Sequence, residues 1–124
     1  MSDVIWEREN NPIDKQTQAC LDLPHNQSTA GQIQCEAQAY QAWDKELNSV
    51  YSKLMAQLDP AAQKDLRQDE RNWRNFRDSD IQVIGDLIGS KSGTMYRPMG
   101  AHARTEIVED RVLQLHHRLD ILND

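Results

Sequence analysis

Apolar residues return every three or four positions along most of this chain. Ile33, Ala37, Tyr40, Asp44, Leu47, Tyr51, Leu54 and Leu58 step by fours and threes, and every member but Asp44 is apolar or aromatic. That spacing places one apolar stripe along an α-helix, the seam through which a helix packs on other helices. Trp43, Val50 and Met55 widen it. A second series, Ala62, Leu66, Asp69, Trp73, Phe76, Asp80, Val83 and Leu87, keeps the same rhythm, thickened by Ile84 and Ile88. A third runs through Ala101, Thr105, Val108, Val112, Leu115, Leu119 and Leu122. Residues 29–58, 60–88 and 99–122 are therefore expected to be helical, the first of them roughly 43 Å long at 1.5 Å per residue.

The punctuation agrees with these limits. Thr29-Ala30-Gly31-Gln32, after Ser28, fits a capping box, in which a hydroxyl and an amide satisfy orphan N–H groups. Asp59-Pro60 stops one helix and starts the next, since Asp caps well and Pro at the first helical position loses no useful donor. So short a connection predicts an antiparallel hairpin of the first two helices. Gly89 is expected to close the second helix, and residues 89–98 form the one substantial interior loop. Residues 1–28 are polar and aperiodic, broken at Asn10-Asn11-Pro12 and Pro24-His25-Asn26, with room for a short helical turn at 14–21. Ile5 and Trp6 are apolar enough to tuck this arm against the body. The expected fold is all-α: an antiparallel hairpin plus a third long helix, a three-helix bundle with an N-terminal arm, in one domain of 124 residues. With five glycines and four prolines, the chain is too poor in turn residues for an all-β fold.

Charge narrows the function classes. A net charge of −6 opposes binding to a phosphate backbone. The helical repeat Arg67, Arg71, Arg74, Arg77 does not reverse this, because Asp65, Asp69, Glu70, Asp78 and Asp80 are interleaved with it, as on a solvated, ion-paired helix face. No apolar run is long enough to span a membrane, so no membrane insertion is expected. The start, Met1 to Glu9, lacks a basic segment followed by an apolar one, which reads as a cytoplasmic chain or a mature exported one whose leader has been removed.

The residues that could carry chemistry mostly have plainer explanations. Cys20 and Cys35 are not a metal-spaced pair. Their simplest reading is a disulfide between arm and first helix, closing a loop of about 15 residues, with two separate thiols as the alternative. His102/Glu106 and His116/Asp120 each sit one turn apart, but no Glu-x-x-His occurs and no metal site is expected. Gly89-Ser90-Lys91-Ser92-Gly93 is not a nucleophile elbow, since it follows a helix and lacks the spacing. Asp69 and Glu70 lie among arginines that would lower their pKa, the wrong direction for a general acid. Asp44 and Asp80 fall on apolar seams and are expected either at the stripe's edge or paired inside with an arginine such as Arg77 or Arg104. No catalytic residue, metal or cofactor is assigned, and the chain is not expected to be an enzyme.

Two motifs remain. Cys35 to Asn48, with Asp44, Leu47, Asn48 and Tyr51 and then Leu54, fits a cysteine followed by D-x-x-L-N-x-x-Y and a leucine-rich turn. Leu66 to Asp78, with Arg71, Trp73, Arg77 and Asp78, fits L-x-x-x-x-R-x-W-x-x-x-R-D. Together they resemble the lysozyme-inhibitor LprI-like family of bacterial envelope proteins over about residues 20–119. Gly93-Thr94-Met95 and the closing 111–115 stretch are similar to its longer members. The resemblance implies a helical, disulfide-bonded envelope protein of the periplasm, some of whose relatives are linked to inhibition of lysozymes. Proteins of similar build serve as immunity proteins against amidases injected by type VI secretion. Many members carry a further cysteine where this chain has Ser79-Asp80, which leaves Cys20 and Cys35 to pair with each other or not at all.

Trp43, Leu47, Tyr51, Trp73 and Phe76 are spaced for a core. A partner surface is then expected in the 89–98 loop, at Ser90, Lys91, Ser92, Met95, Tyr96 and Arg97, residue types that suit an exposed contact. The expected partner is a cell-wall hydrolase, either an amidase toxin or a lysozyme, with a second copy of the chain as a further candidate. The alternative is a helical envelope module that inhibits nothing.

Overall fold

A computed structural model describes residues 5–124; residues 1–4, the beginning of the stretch read for a leader, lie outside it. Among the described residues every regular element is helical: α1 (Pro12–Asp22), a single 3-10 turn (Pro24–Asn26), α2 (Thr29–Ala56), α3 (Pro60–Gly89) and α4 (Tyr96–Asn123). There are thus four helices, one more than expected.

The extra helix is the arm. Asn11-Pro12, taken as a break, is a helix start: the Asn11 side chain accepts from the Asp14 N–H, and Pro12 occupies the first turn. Asn11 itself is fully buried, donating to Glu7 O and Asp14 Oδ2. Ser28 rather than Thr29 caps α2, accepting from Gly31 N at 3.0 Å. Asp59 caps α3 as expected, accepting from Ala62 N. Cys20 and Cys35 are disulfide-bonded, tying the last turns of α1 to the first turns of α2. The approach there is close. A Cβ on Gly31 would stand 2.5 Å from the Asn26 backbone, so only glycine fits.

The core is a seam between α2 and α4. Ala39, Trp43, Leu47, Val50 and Leu54 meet Val108, Val112 and Leu115, all buried. The two helices run in the same direction, since Glu36 faces His102 while Glu46 faces His116. The helix antiparallel to α4 is α3: Glu70 meets Arg111, and Ile88 lies beside Gly100. The expected hairpin of the first two long helices is therefore replaced by one between α3 and α4, with α2 packed along α4. Leu66 and Trp73, in the first half of α3, reach the core. Beyond Trp73 one face of the helix stays half-buried at Ile81, Ile84 and Ile88, while the other stands in water. Phe76, counted among the core residues from its spacing, is 56% exposed, and Val83 and Leu87 are exposed too. The period of a stripe fixes which residues share a face, but not whether a neighbour covers that face. Glu70 is the one residue of α3 that is fully buried.

A charged lock stands where α3 meets α4. Arg111 donates through Nε and Nη2 to Glu70 Oε1 at 3.1 and 2.9 Å, and through Nη2 to Asp69 Oδ2 at 2.9 Å. Arg118 adds a bond to Asp69, and the Arg111 guanidinium lies 5.6 Å from the Trp73 ring centre. Although burial pushes the Asp69 carboxyl up, hydrogen bonds from Arg111 and Arg118 hold it below its ordinary range. The sequence-adjacent arginines are not its partners. Asp44 and Asp80 are half-buried, at the edges of their stripes, and Arg77 pairs with its neighbour Asp78.

Candidate functional site

Two surface features adjoin one another at the end of the molecule where α3 hands over to α4. The first is the tip of the α3–α4 hairpin. Ser90 ends α3, its hydroxyl donating to Leu87 O at 2.7 Å, and the chain turns through Gly93 at φ +96°, a left-handed conformation that favours glycine. Helix α4 begins at Tyr96, three residues before the expected 99, so Tyr96 and Arg97 belong to its first turn rather than to a loop. Ser90, Lys91, Ser92, Met95 and Arg97 are all exposed, whereas Tyr96 is half-buried with the Lys91 ammonium 5.8 Å from its ring centre. Met95 is 68% exposed, and Leu87 and Met99 flank it on the two helices, both exposed. Three long apolar side chains near the tip are thus exposed, with Lys91 and Arg97 close to them in sequence.

The second feature is an open cleft of about 1200 Å³ between α1 and the first half of α4, with α2 contributing its floor. Pro98 and Met99 line its end, so cleft and tip form one continuous surface. Its walls are acidic: Asp14 and Asp22 come from α1, Glu36 from α2, and Glu106 and Glu109 from α4. Two of these are unusual. Glu36 is 6% exposed and Glu109 3%, and neither Glu36 Oε1 nor Glu109 Oε2 has a hydrogen-bond partner among the described residues.

The electrostatics follow from that crowding. Burial pushes the Glu109 carboxyl up to about 8, helped by a hydrogen bond with Asp14 and by the charges of Asp14 and Asp110, against the pull of Arg8. His102 Nδ1 donates to Glu36 Oε2 at 3.1 Å, and its Nε2 stands 3.6 Å from Glu106 Oε1. This bond to Glu36 and the nearby Glu106 and Glu109 charges hold the imidazole above its ordinary pKa despite burial. Arg8, from the segment before α1, reaches across to Asp110, Glu106 and Glu109. The i, i+4, i+7 series His102, Glu106, Glu109 was visible in the sequence, but read only as a weak ligand pair. Among the described residues no group of three or more His, Cys, Asp or Glu is placed to hold a metal ion.

The other histidine pair has a structural role. His116 Nε2 donates to Glu46 Oε2 at 2.8 Å, and Trp6 stacks on the imidazole at 4.3 Å while meeting Trp43 edge-on. This docks Trp6 on the core as expected, whereas Ile5 is exposed. No described helix is long and apolar enough to cross a membrane.

Comparison with known proteins adds a family and a fold. A family model described as "Lysozyme inhibitor LprI" matches residues 20–115. The crystal structure of an uncharacterized protein from Burkholderia thailandensis superposes with a TM-score of 0.84 at 30% sequence identity. The match covers 91% of this chain and 56% of that one, so this chain spans little more than half the length of its structural relative. None of the curated proteins matches.

Proposed function

Because the chain belongs to the lysozyme inhibitor LprI family, we propose that it binds a peptidoglycan-degrading enzyme and blocks it sterically in the periplasm. The family is one of inhibitors rather than catalysts, which agrees with a surface whose carboxylates pair with histidine and arginine instead of facing a nucleophile. The observation that carries the reading is the hairpin tip. Leu87, Met95 and Met99 are each exposed where α3 gives way to α4, with Lys91 and Arg97 in the same stretch. Long apolar side chains exposed at such a turn suit entry into a concave active site, where burial of each is worth about 1.5–3 kcal/mol. The target is a lysozyme or an amidase effector of type VI secretion, approached with steering from the net charge of −6 toward a basic face.

The test is a titration against a panel of lysozymes and peptidoglycan amidases, following binding and hydrolysis. Stoichiometric loss of activity with one enzyme, relieved by a Met95→Ala, Tyr96→Ala, Arg97→Ala triple variant, is the expected result. Inhibition untouched by the triple variant would remove the tip from the contact.

A second reading is favoured by the outer half of α3. Phe76, Val83 and Leu87 form an exposed apolar row suited to assembly with a second copy of the chain, as a helical module without an enzyme target. Light scattering would then give a dimer mass, and the hydrolase panel would give no binding.

A further inference from the structure

The first half of α3 carries a charge pattern that neither the core nor the tip uses. Along the sequence its acids and bases are interleaved, but the folded helix separates them. Asp69 and Glu70 turn toward Arg111 and Arg118 on α4. Lys64, Arg67, Arg71 and Arg74, at i, i+3, i+7 and i+10, are left exposed along one outer face. None of the four forms an ion pair among the described residues; the arginines that do are Arg8, Arg77, Arg111 and Arg118. Arg71 donates to the neutral Gln68 side chain at 2.8 Å. Asp78 continues the row one turn past Arg74, but its carboxylate accepts from Arg77. Like charges one turn apart oppose a helix rather than support it. The ion-paired face expected from the sequence is thus an unpaired cationic row, roughly 15 Å long at 1.5 Å per residue.

The shape of the row and its surroundings select a partner. A straight line of cations along one helix matches anions set out in a line, where a single phosphate would need a cup. The exposed amides of Gln68 and Asn75 flank it, whereas the exposed apolar residues Phe76, Val83 and Leu87 fall on the opposite side of the helix by its period. The row therefore has nothing beside it to insert into a lipid surface. We propose that the outer face of α3 docks on the cell-wall glycan through the carboxylates carried along its strands, with Arg67, Arg71 and Arg74 as the main contacts. The choice of this polymer rests on the inhibitor reading above, since the glycan is the substrate of the blocked enzyme. It adds a second surface, which holds the inhibitor where that enzyme works. Guanidinium groups pair with carboxylates through two parallel bonds. Screening within about 8 Å at physiological ionic strength lets a local row act against a net charge of −6. Each exposed pair is weak, so attachment along the polymer is reversible and salt-sensitive.

The experiment sediments the full chain with purified, protein-free cell-wall sacculi at low and high salt. The expected result is saturable binding that is lost at high salt and abolished when the sacculus carboxylates are converted to amides. An Arg67→Gln, Arg71→Gln double variant weakens it by about fivefold, a modest factor because exposed pairs are individually weak. A Lys15→Gln, Lys45→Gln control, an equal loss of charge at exposed positions on α1 and α2, leaves it unchanged. The double variant keeps or raises the Tm, since it relieves like-charge repulsion. A fall in Tm would show that the fold itself holds these arginines, and would overturn the free row. Binding that survives amidation, or equal weakening by the control, overturns the proposal, because the contact is then not between this row and carboxylates. Stronger retention on DNA or on anionic phospholipid vesicles at matched charge overturns the glycan as the partner. No sacculus binding while a hydrolase is inhibited overturns this proposal alone. Sacculus binding with no hydrolase inhibited across the panel overturns the inhibitor reading alone.

Discussion

The α2–α4 seam and the outer half of α3 carry the same sequence rhythm and come to opposite ends. Trp43, Val50, Val108, Val112 and Leu115 are sealed from water, while Phe76, Val83 and Leu87 stand in it. The difference is the neighbour. Two parallel helices with apolar faces close on each other, whereas α3 meets α4 through a buried charged lock at Glu70 and a half-buried row at Ile81, Ile84 and Ile88, which leaves its other face in water. One pair of helices thus holds the fold, and one face of the third long helix is left exposed.

The comparison breaks most sharply at Trp43. Trp43→Ala should cost about 3–5 kcal/mol, whereas Phe76→Ala, its counterpart on the exposed face, should stay within about 0.5 kcal/mol in urea unfolding. Equal costs would show that α3 is covered in solution. Next comes the lock. Arg111→Ala leaves Glu70 buried and unpaired, and should cost about 3 kcal/mol. Replacing Arg111 and Glu70 together with methionine should recover most of that, and failure to do so would show that Asp69 and Arg118 depend on the same arginine. Reduction of Cys20–Cys35 should lower stability by about 3 kcal/mol for a loop of this length, read as a fall in the urea midpoint with dithiothreitol. Cys35→Ser should show the same loss, now insensitive to reductant.

A further effect is that of pH. Glu109 in the folded protein keeps a proton up to about 8 that the unfolded chain releases in the ordinary carboxylate range. The folded state thus binds more protons between these values, and stability falls as pH rises through that window. His102 acts in the same sense. Its raised pKa means that its pairing with Glu36 stabilises fully below the ordinary histidine value and is lost as pH rises through the folded one. The urea midpoint should be higher at pH 5 than at pH 8, and Glu109→Gln should flatten the difference. A midpoint that stays flat over this range would place both groups in water.

Much of this was legible in the chain. Asp59-Pro60 marked a helix start because capping is local chemistry, and the rhythm of Leu47, Val108, Val112 and Leu115 marked faces that do close. Asn11-Pro12 misled because a cap and a break use the same residues, and only the Asn11–Asp14 bond tells them apart. Phe76 misled because periodicity carries no information about neighbours. The acidic cleft could not be read at all. Glu36, Glu109 and Asp14 are far apart in sequence, and tertiary placement of three helices brings them together.

The bond between Cys20 and Cys35 also bears on the cleft. It fastens α1, and α1 is one wall of the cleft. With the bond reduced, α1 is held by its packing and by the buried Asn11 and Asn26. The shape of the cleft therefore answers to the redox state of the protein's surroundings.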